Sequence, residues 1–406
     1  MRISEIATPG QWTKQSAALR LFDCDQHYYE PADCLTRHMN PPIARHNFRW
    51  LDTPDGGRRL IVKDRLLRKI VDPTFGAVAL PGAQVEMYKQ GKGKDYAASA
   101  AETVPISPEY RDRDARLRLL DEQGVEHAWL FPTLGVVIEE LIKDDIPLVV
   151  ETFRSFNRWI DDDWGFHYKE RIFAAGYITL VDRDAAIREL EWLLSRGCRV
   201  IHLRPSPIAM VGGDGRSPAD PWFDPFWARV AEADVMVTSH GGDSGWFDAS
   251  AAWGEMRNCP THMITNFMSA THGFRDIFTM LGSMVLHGLF TRFPTLKVAS
   301  VEQGSDWVGF LLQRLHHVRA RPDRYGVTGD PVEMFLRNVY IAPYPEDDIP
   351  ALSKLIGSDH VLFGSDFPHP EGTATPLGFL DELARMDLAD VRRIAGENAR
   401  GLMHLQ

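Results

Sequence analysis

The chain has 406 residues, of which 44% are apolar and 25% charged, as in ordinary globular proteins. Its formal net charge is −11 and its basic residues form no run, which argues against nucleic acid as a main partner. No segment approaches the roughly 18 apolar residues of a membrane span, and residues 1–10 lack a signal-peptide core. The cysteines form no CxxC pair, which fits a reducing compartment. We therefore expect a cytoplasmic protein without a membrane partner.

The first third of the chain contains one clear strand and one long irregular region. The first predicted strand covers 18–25, after a polar arm, and runs into an Asp-x-His motif. The Glu30-Pro31 pair predicts the start of a short helix, because proline is tolerated in the first helical turn. Residues 41–107 are rich in proline and glycine and form a first predicted insertion. Two partly apolar runs within it predict a hairpin, 59–62 and 66–71.

From residue 108 onward, short apolar runs alternate with helical patterns. Residues 241–286, rich in glycine, tryptophan and methionine, form a second predicted insertion. The predicted strands are 125–131, 172–180, 198–203, 235–239, 296–301, 339–341 and 361–363. The predicted helices are 108–123, one after Pro132 that continues to about 164, 183–195, 222–233, 307–318, 347–356 and two closing helices within about 375–404.

Alternating strands and helices of this kind predict a parallel sheet with right-handed crossovers. Eight such units favour an α/β fold of the (β/α)₈ type, a TIM-like barrel that spans 1–406 as one domain, with the two insertions at strand ends. An open, doubly wound sheet is the alternative. The absence of a GxGxxG motif after the first strand argues against it.

In a barrel, the active site lies at the carboxyl ends of the strands. Side chains on one strand alternate between faces, so Asp25 and His27 are expected to point the same way. Carboxylate and imidazole together suit a divalent metal. Metal-ligand or charged residues follow five of the predicted strands: Asp25 and His27, His202 and Arg204, His240, Glu302, and Asp366 and His369.

Several of these residues are compatible with more than one role. His202 fits a hydrogen-bonded core histidine as well as a catalytic one. Arg204 either pairs with a neighbouring carboxylate or grips a substrate carboxylate through two hydrogen bonds. Glu302 is compatible with a supporting carboxyl group that lies behind the metal ligands, and also with a group that transfers a proton. Asp366 follows an apolar strand, where an unpaired carboxylate is costly, so it favours function. Trp253, in the second insertion, is a candidate to line a substrate pocket.

Several motifs in a common order carry a family resemblance across residues 18–404. The chain resembles the amidohydrolase-related family whose best-known branch contains aminocarboxymuconate-semialdehyde decarboxylase and the resorcylate-type decarboxylases. The motifs are DCDQH at 23–27 with EP at 30–31, LLDEQGV at 119–125, FNRW at 156–159, HLRP at 202–205, FPTLKV at 293–298, GSDFPH at 364–369 and GENA at 396–399.

The resemblance implies a distorted barrel with one divalent metal ion, most often zinc or manganese. The family's ligand positions correspond to Asp25, His27, His240 and Asp366. The chain departs from the family at Glu302, where the decarboxylases usually carry a histidine. An imidazole delivers a proton near neutral pH, whereas a glutamate needs a raised pKa to do so.

The leading functional hypothesis is non-oxidative decarboxylation of a small carboxylated, aromatic substrate, with Arg204 orienting it. The alternative is hydrolysis of an ester, lactone or amide by metal-activated water. A barrel that binds a metal or ligand without chemistry is the third hypothesis. Residues 241–286 fit either a lid or the interface of a homodimer. The candidate catalytic residues are Asp366, Glu302, His202 and His369.

Overall fold

A computed structural model of the chain describes residues 19–54, 56–70, 72–85, 102–213, 215–245, 249, 251–254, 271 and 273–405. The predicted arm at 1–16 lies outside the described residues, as does much of the second insertion.

Parallel strands form the centre of the fold in two sheets. One sheet contains β1 (Leu21–Tyr28), β2 (Val125–Pro132) and the first part of β3 (Ile172–Ala174). The other contains the second part of β3 (Gly176–Tyr177), followed by β4 (Val200–His202), β5 (Met236–His240), β6 (Val298–Val301) and β7 (Val339–Ile341), and all of these pairings are parallel.

Backbone hydrogen bonds join the two sheets into a closed barrel. On one side, β3 belongs to both sheets, and between its two parts the Ala175 N–H donates to Leu130 O over 3.0 Å. On the other, residues 361–363 lie between β7 and β1, where Val361 bridges Ile341 and the Cys24 N–H donates to Phe363 O over 2.8 Å. These residues occupy the eighth strand position. The predicted (β/α)₈ barrel is therefore confirmed.

Helices surround the barrel, and their ends follow local sequence signals. Asp112 caps the first long helix by accepting the Ala115 N–H over 2.7 Å, and Gly124 ends it in the left-handed conformation. The α-helices are Pro41–Asn47, Arg113–Gln123, Ile138–Ile142, Ile146–Asp163, Arg183–Ser195, Asp224–Ala233, Arg275–Leu286, Leu289–Arg292, Asp306–Arg319, Pro322–Tyr325, Pro331–Asn338, Ile349–Ile356, Leu388–Arg392 and Asn398–Leu402. Short 3₁₀ turns lie at Pro108–Tyr110, Gly135–Val137, Pro221–Phe223, Ser358–His360 and Pro376–Asp381, and a π turn at Arg393–Glu397.

Some predicted elements were wrong in type or extent. The helix predicted after Pro31 is a series of turns, and the nearest helix is Pro41–Asn47. The single helix predicted after Pro132 is two helices, because Pro147 begins a new helix that Asp145 caps. The strand predicted at 172–180 ends at Tyr177. The first of the two closing helices is a 3₁₀ turn.

Both predicted insertions contain regular structure. In the first, Arg58–Val62 pairs with Arg65–Leu66, so the hairpin exists in a shorter form, and Phe48–Asp52 adds a third strand that was not predicted. A second antiparallel pair joins Ala77–Ala79 to Thr103–Pro105. The second insertion ends earlier than predicted, because Arg275–Leu286 is an amphipathic helix that packs into the main core. Among the described residues, no helix has the length and apolar character needed to cross a bilayer.

A buried arginine connects the first long helix to the end of β1. Arg116 donates to Gln26 Oε1 over 3.1 Å, to His27 O over 2.7 Å and to Glu109 O over 2.8 Å. Burial lowers its pKa to about 10, so the guanidinium stays charged at neutral pH. Arg116 therefore fixes the strand end that carries His27.

We expect Arg116→Met to destabilise the fold, because each buried acceptor left unpaired costs about 1–3 kcal/mol. The free energy of unfolding in urea measures the effect. Arg118→Met is the matched control, since Arg118 lies on the same helix but is exposed. Equal loss of stability in the two variants would contradict this role of Arg116.

Candidate metal centre at the barrel mouth

Five side chains converge at the carboxyl ends of the barrel strands. His27 Nε2 lies 3.4 Å from Asp25 Oδ1, 3.2 Å from Glu302 Oε2 and 3.3 Å from Asp366 Oδ1. His240 Nε2 lies 3.1 Å from His27 Nε2 and 2.9 Å from Glu302 Oε2. Ligand atoms that each stand about 2.0–2.2 Å from one ion are roughly 3 Å apart, so this spacing fits a metal centre.

Strained backbone aims two of the carboxylates at this cluster. Glu302 and Asp366 have φ angles of 51° and 55°, in the left-handed region that costs a non-glycine residue about 1–2 kcal/mol. Neighbouring glycines leave room for these turns. A Cβ on Gly241 would lie 2.6 Å from Glu302 O, and one on Gly372 would lie 2.5 Å from Asp366 O. Glycine is therefore required at both positions.

Hydrogen bonds behind two histidines set their tautomers. The Nδ1 of His240 lies 2.7 Å from Gly241 O, which only accepts, so Nδ1 carries a hydrogen and Nε2, once it loses its proton, presents a lone pair to the cluster. The Thr133 hydroxyl donates to Tyr28 O over 2.9 Å, so His369 Nε2 must donate to Thr133 Oγ1 over 3.0 Å. The Nδ1 of His369 then presents its lone pair to Asp366 Oδ1, 2.8 Å away.

The donor set fits a divalent metal ion. Within the described part of the chain, the buried atoms Asp25 Oδ1, Glu302 Oε2 and His27 Nδ1 have no hydrogen-bond partner. Asp25 Oδ1 and Glu302 Oε2 lie in the cluster, where lone pairs face one another and positive charge is needed between them. Mixed carboxylate and imidazole ligands suit zinc, manganese or iron.

The charges at the site shift one another's pKa values. Burial would raise the pKa of Glu302, but His240 and His27 outweigh it and hold that pKa well below its usual range. Burial would lower the pKa of His240, but Glu302 and Asp25 raise it to about 10. Burial, with repulsion from Glu302, raises the pKa of Asp366 well above its usual range and that of Glu371 to about 7. Without a bound cation, Glu302 is therefore ionised and cannot donate a proton.

A second layer of buried carboxylates fixes the ligand-bearing segments. Asp23 accepts from Ser365 Oγ over 2.6 Å and from Gln26 Nε2 over 2.9 Å, which ties β1 to the eighth strand position. Glu30 accepts the backbone N–H groups of Leu134 and Gly135, each over 2.9 Å. Burial raises the pKa of both Asp23 and Glu30 to about 7.

The structure separates the predicted site residues into two groups. Asp25, His27, His240, Glu302 and Asp366 form the cluster, and His369 lies directly beside it. The other three predicted site residues lie outside this set of ligand atoms: His202, Arg204 and Trp253.

His202 lies behind His240, whose backbone N–H points at His202 Nδ1 over 3.4 Å. Burial lowers the pKa of His202 well below the usual range, so its imidazole is neutral near pH 7. The Arg204 guanidinium is buried, pairs with Glu140 and donates to Asp243 O over 3.3 Å. Trp253 is 76% exposed on the surface.

The sequence pattern missed several residues that support the site. Asp23 and Ser365 lie inside motifs in which only other residues were predicted to be metal ligands. Thr133 directly follows the second strand, so a survey of every strand end would have found it. Arg116 lies in a charged helix, and its spacing gives no sign that it is buried. Glu371 follows the GSDFPH motif at 364–369 by two residues.

A family profile described as Amidohydrolase matches residues 23–405. The chain belongs to the amidohydrolase family. It is 38% identical to the amidohydrolase map2389c from Mycobacterium avium subsp. paratuberculosis K-10, with a TM-score of 0.87 over 95% of this chain and 98% of that one. The chain is therefore a metal-dependent enzyme of the amidohydrolase superfamily, a carboxy-lyase or a hydrolase.

More distant relatives are decarboxylases by name. The dihydroxybenzoic acid decarboxylase from Polaromonas sp. JS666, solved with manganese and 2-nitroresorcinol, is 21% identical with a TM-score of 0.55, over 79% of this amidohydrolase and 93% of that chain. The 2-amino-3-carboxymuconate-6-semialdehyde decarboxylase of Dictyostelium discoideum is 28% identical over 122 residues, 29% of this chain. That match spans about a third of the curated relative, 33% of its length.

We expect the double variant Asp25→Ala/His240→Ala to lose at least one divalent ion per chain, because it removes two ligands of the cluster. Elemental analysis of the purified protein measures the loss. His404→Ala is the control, since this surface histidine pairs with Asp234 away from the cluster. Equal metal content in all three proteins would show that the cluster is not the metal site.

We also expect metal affinity to rise with pH. The pKa of about 10 means that His240 holds a proton on Nε2 in the metal-free protein, and an incoming ion must displace it. Below that pKa, affinity should increase by ~tenfold per pH unit for each proton displaced. Calorimetric titration with Mn²⁺ at pH 6 and pH 7 tests this, and an affinity independent of pH would contradict it.

Proposed function

We propose that this amidohydrolase hydrolyses an ester, lactone or amide bond in a small carboxylated substrate. One observation carries the proposal: Glu302, whose pKa lies well below its usual range, is ionised and cannot donate a proton at the position where the decarboxylases that the chain resembles usually carry a histidine. Hydrolysis needs a proton acceptor near the attacking water, and this site is rich in acceptors. Asp25, His27 and His240 would hold a metal that lowers the pKa of bound water towards neutrality.

Asp366 is the proposed general base. Burial and Glu302 raise its pKa well above the usual range for a carboxyl group, which makes its carboxylate a stronger base. His369 Nδ1, which carries no hydrogen of its own, lies 2.8 Å from Asp366 Oδ1 and accepts a hydrogen bond from this carboxyl group when it is protonated. Asp366 would take the proton of the attacking water and return it to the leaving group.

The exposed side of the cluster indicates where the substrate enters. The Glu302 side chain is 20% exposed, whereas the side chains of Asp25, His27, His240 and Asp366 are almost fully covered. We therefore propose that substrate approaches past Glu302. Because Glu140 occupies the Arg204 guanidinium, we propose a structural role for Arg204 and not substrate binding.

Decarboxylation is the second candidate, and the curated decarboxylase relative favours it. In that reaction Asp366, with its raised pKa, would donate a proton to the substrate carbon as carbon dioxide leaves. The substrate would be a small carboxylated aromatic acid. Manganese is the metal in one structural neighbour, and zinc stays an equal prediction for this chain. A homodimer and a cytoplasmic location also stay predictions.

We expect the metal-loaded protein to incorporate solvent ¹⁸O into the products of aryl esters, lactones or amides. Asp366→Asn should lower kcat by about 10²–10⁴-fold, because it removes the proton acceptor. Asp387→Asn, an exposed aspartate, is the matched control. Carbon dioxide release from hydroxybenzoates without ester, lactone or amide turnover would reject hydrolysis and favour the second candidate. Metal binding without any turnover would favour a binding protein.

A further inference from the structure

The first part of the first insertion carries a charge opposite to that of the chain as a whole. Residues 41–70, called the basic region below, contain eight lysines and arginines and three aspartates. Their net charge is +5, in a chain whose net charge is −11. Charges segregated in this way create a local electrostatic field that evenly mixed charges do not.

Two ion pairs hold the basic region on the loop that follows β2. Lys63 Nζ lies 2.8 Å from Asp145 Oδ2, and Arg65 Nη2 lies 2.6 Å from Asp144 Oδ2. Arg65 also donates to Leu141 O over 2.8 Å. Because this loop lies at the carboxyl end of its strand, the basic region stands on the active-site face of the barrel.

A third ion pair extends the basic region towards the side of the mouth where the Glu302 side chain is exposed. Lys69 Nζ lies 2.9 Å from Asp243 Oδ1, and Asp243 follows His240 by three residues. A chain extends by at most ~3.5 Å per residue, so the backbone of Asp243 lies within ~10 Å of that of His240. Between these two residues, Gly241 packs against Glu302 O. The basic region therefore contacts the rim of the mouth at the loops after β2 and β5.

These pairings leave half of the basic side chains without a carboxylate partner. Within the described part of the chain, four of the eight form no ion pair: Arg45, Arg49, Arg59 and Arg68. Arg45, Arg49 and Arg68 are exposed to solvent. Counted together with the three aspartates of the rim, the basic region still has a net charge of +2. The paired cations anchor the region, and the four arginines leave positive charge beside the mouth.

We propose that the basic region steers carboxylate-bearing substrates to the barrel mouth through its four arginines that have no carboxylate partner. A positive surface beside an entrance raises the local concentration of an anion and its rate of encounter, by about 10–10³-fold at low ionic strength. The inference rests on the proposed function only for the carboxylate of the substrate, which decarboxylation shares. It gives the first insertion a role in substrate choice, because a neutral ester gains nothing from the field.

The test variant is Arg45→Gln/Arg59→Gln/Arg68→Gln. It removes three positive charges and leaves the ion pairs of the basic region with the rim in place. Arg49 is kept, because it donates to Lys63 O over 2.7 Å. The matched control is Arg188→Gln/Arg314→Gln/Arg385→Gln, since these exposed arginines lie outside the basic region and their loss changes the net charge equally.

The first measurement is kcat/KM of the metal-loaded protein for 4-acetoxybenzoate and for neutral phenyl acetate. Raising the sodium chloride concentration from ~0.01 M to ~1 M shortens the Debye length from ~30 Å to ~3 Å. For wild-type protein, kcat/KM for the anionic ester should therefore fall about tenfold or more. The test variant should already be about tenfold lower at ~0.01 M, with kcat unchanged and a smaller dependence on salt. The control variant should behave as wild type, and the neutral ester should show neither effect.

A binding measurement separates this inference from the proposed function. If neither ester is hydrolysed, the proposed hydrolysis fails, and calorimetry with benzoate and benzamide tests the steering without turnover. At ~0.01 M salt, benzoate should bind about tenfold more weakly to the test variant than to wild type, and benzamide equally to both. Equal losses in the test and control variants, or for charged and neutral compounds, would overturn the proposal. Wild-type protein that neither binds benzoate nor prefers the anionic ester would overturn it as well.

Discussion

Acceptor atoms held close together in a covered site repel one another unless positive charge lies between them, and the barrel mouth is built under this constraint. Left-handed backbone at Glu302 and Asp366 brings their carboxylates into contact range of the histidines. Gly241 and Gly372 make these turns possible. Behind the cluster, Asp23 and the buried Arg116 hold the strand ends that would otherwise move apart.

The barrel itself was predictable because alternating apolar runs and helical patterns leave few other topologies. The bounds and types of individual elements were predicted wrongly where the contact that determines them is distant in sequence. The strand at 172–180 is shortened because its residues pair with two different neighbours, one on each side of a seam. Phe48–Asp52 has a mixed burial pattern, so its pairing with Arg58–Val62 left no clear alternation to recognise. The Glu30-Pro31 pair is typical of a helix start, but the turns that follow it do not continue into a helix.

The site was predictable to the level of which strand ends carry ligand-type residues. Asp25, His27, His240 and Asp366 follow directly from that pattern, and their spacing in the structure fits one centre. The position of Glu302 within the ligand set was not predictable, because it depends on a left-handed backbone conformation. The alternation of side chains along a strand does not predict such a conformation. Arg204 and His202 were ambiguous from sequence, because the pairing of Arg204 with Glu140 and the burial of His202 depend on residues distant in the chain. These placements also reverse the order of the two reactions, with decarboxylation now the second candidate.

The carboxylates held together at the barrel mouth have a consequence for the stability of the protein in the cell. A folded barrel without metal keeps its like-charged carboxylates together, whereas the unfolded chain separates them, so an ion acts as a folding ligand. An ion at 100 times its dissociation constant adds about 2.7 kcal/mol to the free energy of unfolding. Metal scarcity therefore raises the unfolded fraction and exposes the chain to proteases. Protein abundance then becomes a readout of the metal supply.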